Sequence, residues 1–162
     1  MKTAGIILAG GQSRRMNGPD KALLPFGAGR LVDHVYTRLA GQLPVVALNT
    51  NGSPADFRHL GIPVIPDDIA GHAGPLAGIL AGMEWAAARN DAFSHILTVA
   101  TDTPFFPDDL HEKLSRRIAG APGAIAIASS QGRVHPVFGL WPVSSRRALR
   151  AWLADDRNRR VM

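Results

Sequence analysis

The sequence predicts an α/β domain, a doubly wound three-layer fold around a mostly parallel sheet. Two observations predict it. Short, unbroken apolar runs recur along the 162 residues, at Thr3–Ala9, Val45–Leu48 and Ile96–Ala100, and each stops at a polar or glycine-rich loop. Such runs mark strands buried on both faces. Between them lie segments with apolar residues three or four apart, the spacing of a helix face. Alternation of the two kinds places helices on both faces of a parallel sheet, joined by right-handed crossovers. A chain of this length fills one domain.

The elements follow in order. Thr3-Ala4-Gly5-Ile6-Ile7-Leu8-Ala9 is the first strand and ends on Gly10-Gly11; residues 10–20 are loop, broken by Gly, Asn and Pro. Leu31, Val35, Leu39 and Leu43, with Val32 and Tyr36 beside them, trace one face of the first helix. Val45–Leu48 is the second strand, ended by Asn49-Thr50-Asn51-Gly52, and a short helix is expected after Pro54. Ile62–Ile65 is the third strand, and Gly74-Pro75-Leu76 opens a helix to about Arg89. Ile96–Ala100 is the fourth strand, ending on Thr101-Asp102-Thr103-Pro104. A helix from Pro107 to about Ala119, strands at Ala124–Ala128 and Val134–Leu140, and a helix from Ser144 to Leu153 complete the chain.

Composition narrows the function classes. The chain is 46% hydrophobic and 19% charged, which suits a folded domain. No apolar run reaches the roughly 18 residues of a membrane span, and the N-terminus lacks the pattern of a secretory signal. There is no cysteine, so disulfides, thiolate zinc sites and thiol nucleophiles are excluded, and a cytoplasmic location is expected. The net charge of +5 is concentrated at one end. Residues 146–162 hold six arginines against Asp155 and Asp156, and without that stretch the balance is +1. A nucleic-acid groove is therefore not expected, nor is a membrane surface.

In a doubly wound sheet the ligand sits beyond the carboxyl ends of the strands, where the strand order reverses. A spatial order of third, second, first, fourth sets the loops after the first and fourth strands on either side of that crevice. Those are the two most unusual loops of the sequence. The first, Leu8 to Lys21, joins Gly10 and Gly11 to Arg14, Arg15 and Lys21. Glycines let main-chain N–H groups approach a polyanion, arginine offers a planar fork to phosphate oxygens, and lysine a mobile point charge. The spacing is neither G-x-G-x-x-G nor G-x-x-x-x-G-K-[ST], and Ser13 is not in a G-x-S-x-G elbow. The second, Thr101–Pro104, carries Asp102, a hard oxygen ligand of the kind Mg²⁺ takes one or two of beside phosphates and water. The same residue before Thr-Pro also suits a turn.

Leu8-Ala9-Gly10-Gly11-Gln12-Ser13-Arg14-Arg15-Met16, followed by Asp20-Lys21-Ala22-Leu23-Leu24, resembles the signature of nucleotidyltransferases. It is most similar to that of the molybdenum cofactor guanylyltransferases. The Gly10-Gly11 pair favours these over the related cytidylyltransferases. Asn49-Thr50-Asn51, Asp67, Gly74-Pro75-Leu76-Ala77-Gly78, Thr101-Asp102-Thr103-Pro104-Phe105 and His135-Pro136-Val137 follow in the family's order. The resemblance implies a Rossmann-like nucleotidyltransferase domain over residues 1–162. A further C-terminal segment containing Asn-Thr-Pro is expected of the family and is missing from the sequence.

The resemblance implies GMP transfer from GTP to the phosphate of molybdopterin with release of pyrophosphate, and hand-off of the product to molybdoenzymes or their chaperones. It makes Asp102 the Mg²⁺ ligand, and Arg15, Lys21 and Asp102 the catalytic residues. Leu8, Ala9, Gly10, Gly11, Lys21, Asn49, Asp67, Gly74, Gly78, Asp102 and His135 become the binding residues, with Leu8 and Ala9 acting through their main chain. A carboxylate can accept both N1–H and the exocyclic amine of guanine, which suits Asp67, although Asp68 adjoins it. Gly74 and Gly78 suit either an anion at a helix N-terminus or tight helix packing. Alternatives are a related transferase using CTP or a sugar-phosphate acceptor, and a non-catalytic nucleotide-binding domain.

Overall fold

All six residues of β1 (Thr3–Leu8) are buried, as a central strand with helices on both sides requires. The computed structural model describes residues 1–10, 21–69 and 74–155. After a 3-10 turn at Lys21–Leu23, a small antiparallel hairpin forms from β2 (Pro25–Phe26) and β3 (Gly29–Arg30). Helix α1 (Leu31–Ala40), β4 (Val46–Asn49), a 3-10 helix (Pro54–Leu60) and β5 (Val64–Ile65) follow. Next come α2 (Pro75–Ala88), β6 (His95–Ala100) and α3 (Leu110–Arg117). The described chain closes with β7 (Ala126–Ser130), β8 (Arg133–Pro142) and α4 (Arg146–Ala154).

The main sheet has the order β5-β4-β1-β6-β8-β7. Its first four strands run parallel, so the third, second, first and fourth predicted strands stand side by side in the expected order. Among the described strands of this sheet β8 alone is reversed, antiparallel to both β6 and β7. The cause is a two-residue turn. Gln131 and Gly132 both have positive φ, 51° and 76°, and so short a turn can only return the chain antiparallel.

Alternation along β1 builds the two faces. Ile7 joins Val32, Val35 and Leu39 of α1 and Leu110 and Leu114 of α3 in one core layer. Ala4, Ile6 and Leu8 point the other way, onto Ile79 and Met83 of α2. α2 is apolar almost all round because α4 covers its outer side, with Leu153 against Ala77 and Leu80. The three layers are thus α1 and α3, the sheet, then α2 backed by α4. Element ends differ from expectation where turns intervene. α3 begins at Leu110, not Pro107, because the Leu110 N–H closes a turn on Pro107 O at 3.2 Å. The segment after Pro54 is 3-10, and the hairpin at Pro25–Arg30 is too short to show a period of two.

Candidate functional site at the strand ends

Register brings three strand ends level. Leu8 pairs with Asn49 on one side and Ala100 on the other. The ladder runs one step further, Ala9 N–H donating to Asn49 O at 2.8 Å, before Gly10 emerges into solvent. Asp102 stands two residues beyond the end of β6, exposed, its Oδ1 accepting a hydrogen bond from Thr103 Oγ1 at 3.2 Å. Lys21 is exposed at the start of the 3-10 turn that re-enters the fold. Gly11 and Arg15, with Arg14, lie outside the described residues.

Asn49 and Asp67 meet. Asn49 is only 3% exposed, and its Nδ2 donates to Ile65 O at 3.1 Å and to Asp67 Oδ1 at 2.8 Å. The other carboxylate oxygen, Oδ2, accepts from Asn51 Nδ2 at 3.1 Å. Asp68 faces elsewhere. Its Oδ2 accepts from Arg150 Nη2 at 2.8 Å, and the same guanidinium reaches Glu84 Oε1 at 3.3 Å. The Asp68 hydrogen bond, helped by Glu84, holds Arg150 above its usual pKa. Two of the arginines of the basic C-terminal stretch, Arg146 and Arg150, therefore brace α4 against α2 and the loop after β5.

The two glycines at α2 serve different ends. Gly74, at φ 67° and ψ −159°, takes a conformation that side chains avoid and turns the chain into Pro75 at the first helical position. Gly78 sits under Asn49. A Cβ there would overlap Asn49 Oδ1 and touch Leu8 Cδ2 at 3.0 Å, so its lack of a side chain seats the Asn49 amide. Of the two readings of Gly78, packing has the geometric support.

His135 belongs to the same edge of the sheet. β8 is antiparallel to β6 with Thr98 opposite Gly139, so the first residues of β8 overhang the end of β6 that carries Asp102. His135 Nε2 is 2.7 Å from Ser130 Oγ across the β7–β8 hairpin. A cleft of 420 Å³ lies on the α1 side, lined by Phe26, His34, Arg38, Phe105 and Asp108 among others. Asn49, Asp67 and Asp102 do not line it, and its charges are already engaged: Arg38 pairs with Asp108, and His34 Nε2 lies 2.6 Å from Phe26 O.

An exposed carboxylate at a strand end fits Mg²⁺, which needs few protein ligands when phosphates supply the rest. No group of three or more acidic or histidine residues that could cage a metal occurs among the described residues. No described helix is long and apolar enough to cross a membrane. Asn51 was the residue sequence reading left without a task. Its signal was an Asn-x-Asn at one strand end with an acid at the next.

Residues 5–162 match the MobA-like NTP transferase domain. The chain is 52% identical over 158 residues to the molybdenum cofactor guanylyltransferase of Mesorhizobium japonicum, covering 98% of this chain and 76% of that one. It is 46% identical over 157 residues to the protein of the same name from a Bradyrhizobium species, covering 97% and 74%. Among solved structures it resembles molybdopterin-guanine dinucleotide biosynthesis protein A of Archaeoglobus fulgidus, with a TM-score of 0.70 at 19% identity. That likeness covers 93% of this chain and 73% of the other, and it speaks to the fold.

Proposed function

Because the chain belongs to the MobA-like NTP transferase family, we propose that it transfers GMP from GTP to the phosphate of molybdopterin and releases pyrophosphate. One observation carries the reading of the site: Gly10, Asn49 and Asp102 stand at the carboxyl ends of three adjacent parallel strands, β1, β4 and β6. That edge is where a doubly wound sheet binds a nucleotide.

In the reaction an oxygen of the acceptor phosphate forms a bond to the α-phosphorus of GTP, and the α–β bridging bond breaks. The attacking phosphate is already ionised, so no general base is required. Catalysis is positioning and electrostatics. The amides of Gly10 and Gly11, with Arg15 and Lys21, neutralise charge gathering on the departing pyrophosphate. Asn49 and Asp67 hold the guanosine end, and Leu8 and Ala9 contribute main-chain groups. Asp102 would hold a divalent cation, which would supply charge to offset that of the phosphate oxygens. Gly74 shapes the N-terminus of α2, and His135 stands toward the acceptor.

Calorimetric titration with GTP and with CTP, each with and without magnesium, tests the proposal. The expected result is GTP binding that needs magnesium and disappears in Asp102→Ala. A preference for CTP, or binding indifferent to both magnesium and Asp102, overturns it.

A further inference from the structure

We infer that Asn51 is a positioning residue that fixes the Asp67 carboxylate for guanine recognition, an inference that rests on the reading of Asp67 as the base acceptor. Asn51 meets Asp67 twice. Its Oδ1 accepts the Asp67 main-chain N–H at 2.8 Å, and its Nδ2 donates to Asp67 Oδ2 at 3.1 Å. Only one orientation of the amide satisfies both contacts, because a main-chain N–H can only donate and an ionised carboxylate can only accept.

The fold shows why such a clamp is needed. β5 is two residues long, and its described pairing with β4 ends where Thr50 N–H donates to Ile65 O at 3.0 Å. The chain then leaves the sheet at Pro66, so Asp67 has no ladder to hold it. Asn51 takes the place of the ladder at the main chain, and Asn49 and Asn51 grip one carboxylate oxygen each. Asn49 is anchored in turn by Ile65 O. Each carboxylate oxygen can accept two hydrogen bonds, so each keeps one acceptor site after the asparagines are served. Guanine presents two N–H groups side by side, at N1 and the 2-amino group. A fork of that kind rewards a carboxylate whose plane is already fixed. Hypoxanthine lacks the 2-amino group and can use only half of it.

The test compares GTP with ITP by calorimetry in magnesium buffer, on the wild-type chain and on Asn51→Ala, Asn51→Asp and Asp67→Ala. The wild type should bind GTP about tenfold more tightly than ITP, the scale of one well-made buried hydrogen bond. In Asn51→Ala that ratio should fall to within about twofold, as in Asp67→Ala. Asn51→Asp keeps an acceptor for the Asp67 N–H but sets a second carboxylate against Oδ2. It should also lose the ratio, and it carries the test if the alanine variant fails to fold. Equal weakening of both nucleotides, with the ratio intact in the Asn51 variants, overturns the inference alone. A wild type without GTP preference, or Asp67→Ala retaining it, removes the reading beneath it.

Discussion

The side-chain oxygen of Asn49 fills the space that a Cβ on Gly78 would need. Neither side can yield cheaply. Leu8, which the same Cβ would also meet, is buried in β1, and the Asn49 amide is committed to Ile65 and Asp67. Gly78→Ala should therefore expel the Asn49 side chain and unlatch Asp67. Overpacking of this kind costs about 1–3 kcal/mol, readable as a lower urea midpoint. GTP affinity should drop alongside it, by a factor comparable to that of Asn49→Ala. Unchanged affinity in Gly78→Ala would mean that Asn49 does not serve the nucleotide.

Adjacent acids separate by their partners. Asp67 lies among the amides of Asn49 and Asn51, whereas Asp68 is tied to Arg150 on α4. Asp67→Ala should abolish the preference for GTP over ITP. Asp68→Ala should leave nucleotide affinity within about twofold and cost stability by no more than about 1 kcal/mol, because its ion pair is largely solvent-exposed. A larger loss of GTP binding in Asp68→Ala than in Asp67→Ala would reverse the assignment.

The sheet was legible because its parallel strands are sandwiched. An unbroken apolar run such as Ile6-Ile7-Leu8 has no other economical home, and the loops it feeds are placed by topology alone. Strand direction was not legible at β8. The positive φ values at Gln131 and Gly132 reverse it, and Gln131 carries no sequence mark of that conformation. The candidate residues were legible as positions at the strand ends, whereas the contacts that support them were not. Asn51 reads as an ordinary turn residue beside Gly52, since its partner Asp67 is 16 residues away. The pairing of Arg150 on α4 could not be read from sequence because Asp68 and Glu84 come from other elements.

Lys21 and Asn49 should separate in kinetics. A charge facing the leaving pyrophosphate is felt most in the transition state, while an amide near the nucleoside is felt equally before and during reaction. Lys21→Ala should lower kcat by about 10²–10³, the usual scale for removing one preorganised charge stabiliser. Asn49→Ala should act chiefly through KM. Steady-state rates with varied GTP decide the matter, and equal kcat losses in the two variants would tell against Lys21 as the leaving-group cation.

Two histidines far from these strand ends, His95 buried and His111 half-buried, should make the fold acid-sensitive. His95 is 3% exposed. Its Nε2 lies 3.0 Å from Pro122 O, a pure acceptor, so Nε2 carries the proton and Nδ1 faces Ser94 Oγ at 2.8 Å. Burial lowers its pKa below 6.5, outweighing the raising effect of the Pro122 carbonyl. His111, 3.1 Å from Thr3 Oγ1, is lowered by burial first and by His95 second. Both rings therefore take up protons less readily in the folded protein than in the unfolded chain, which begins to protonate near pH 6.5. Below that pH the unfolded state binds more protons, so stability falls as pH falls, until the folded-state values are passed. The contribution is fully present above pH 6.5. Urea midpoints measured between pH 7.5 and pH 5.0, above the range of ordinary carboxylates, should decline toward acid. His111→Gln should flatten that slope, and an equally steep decline in the variant would place the acid sensitivity elsewhere.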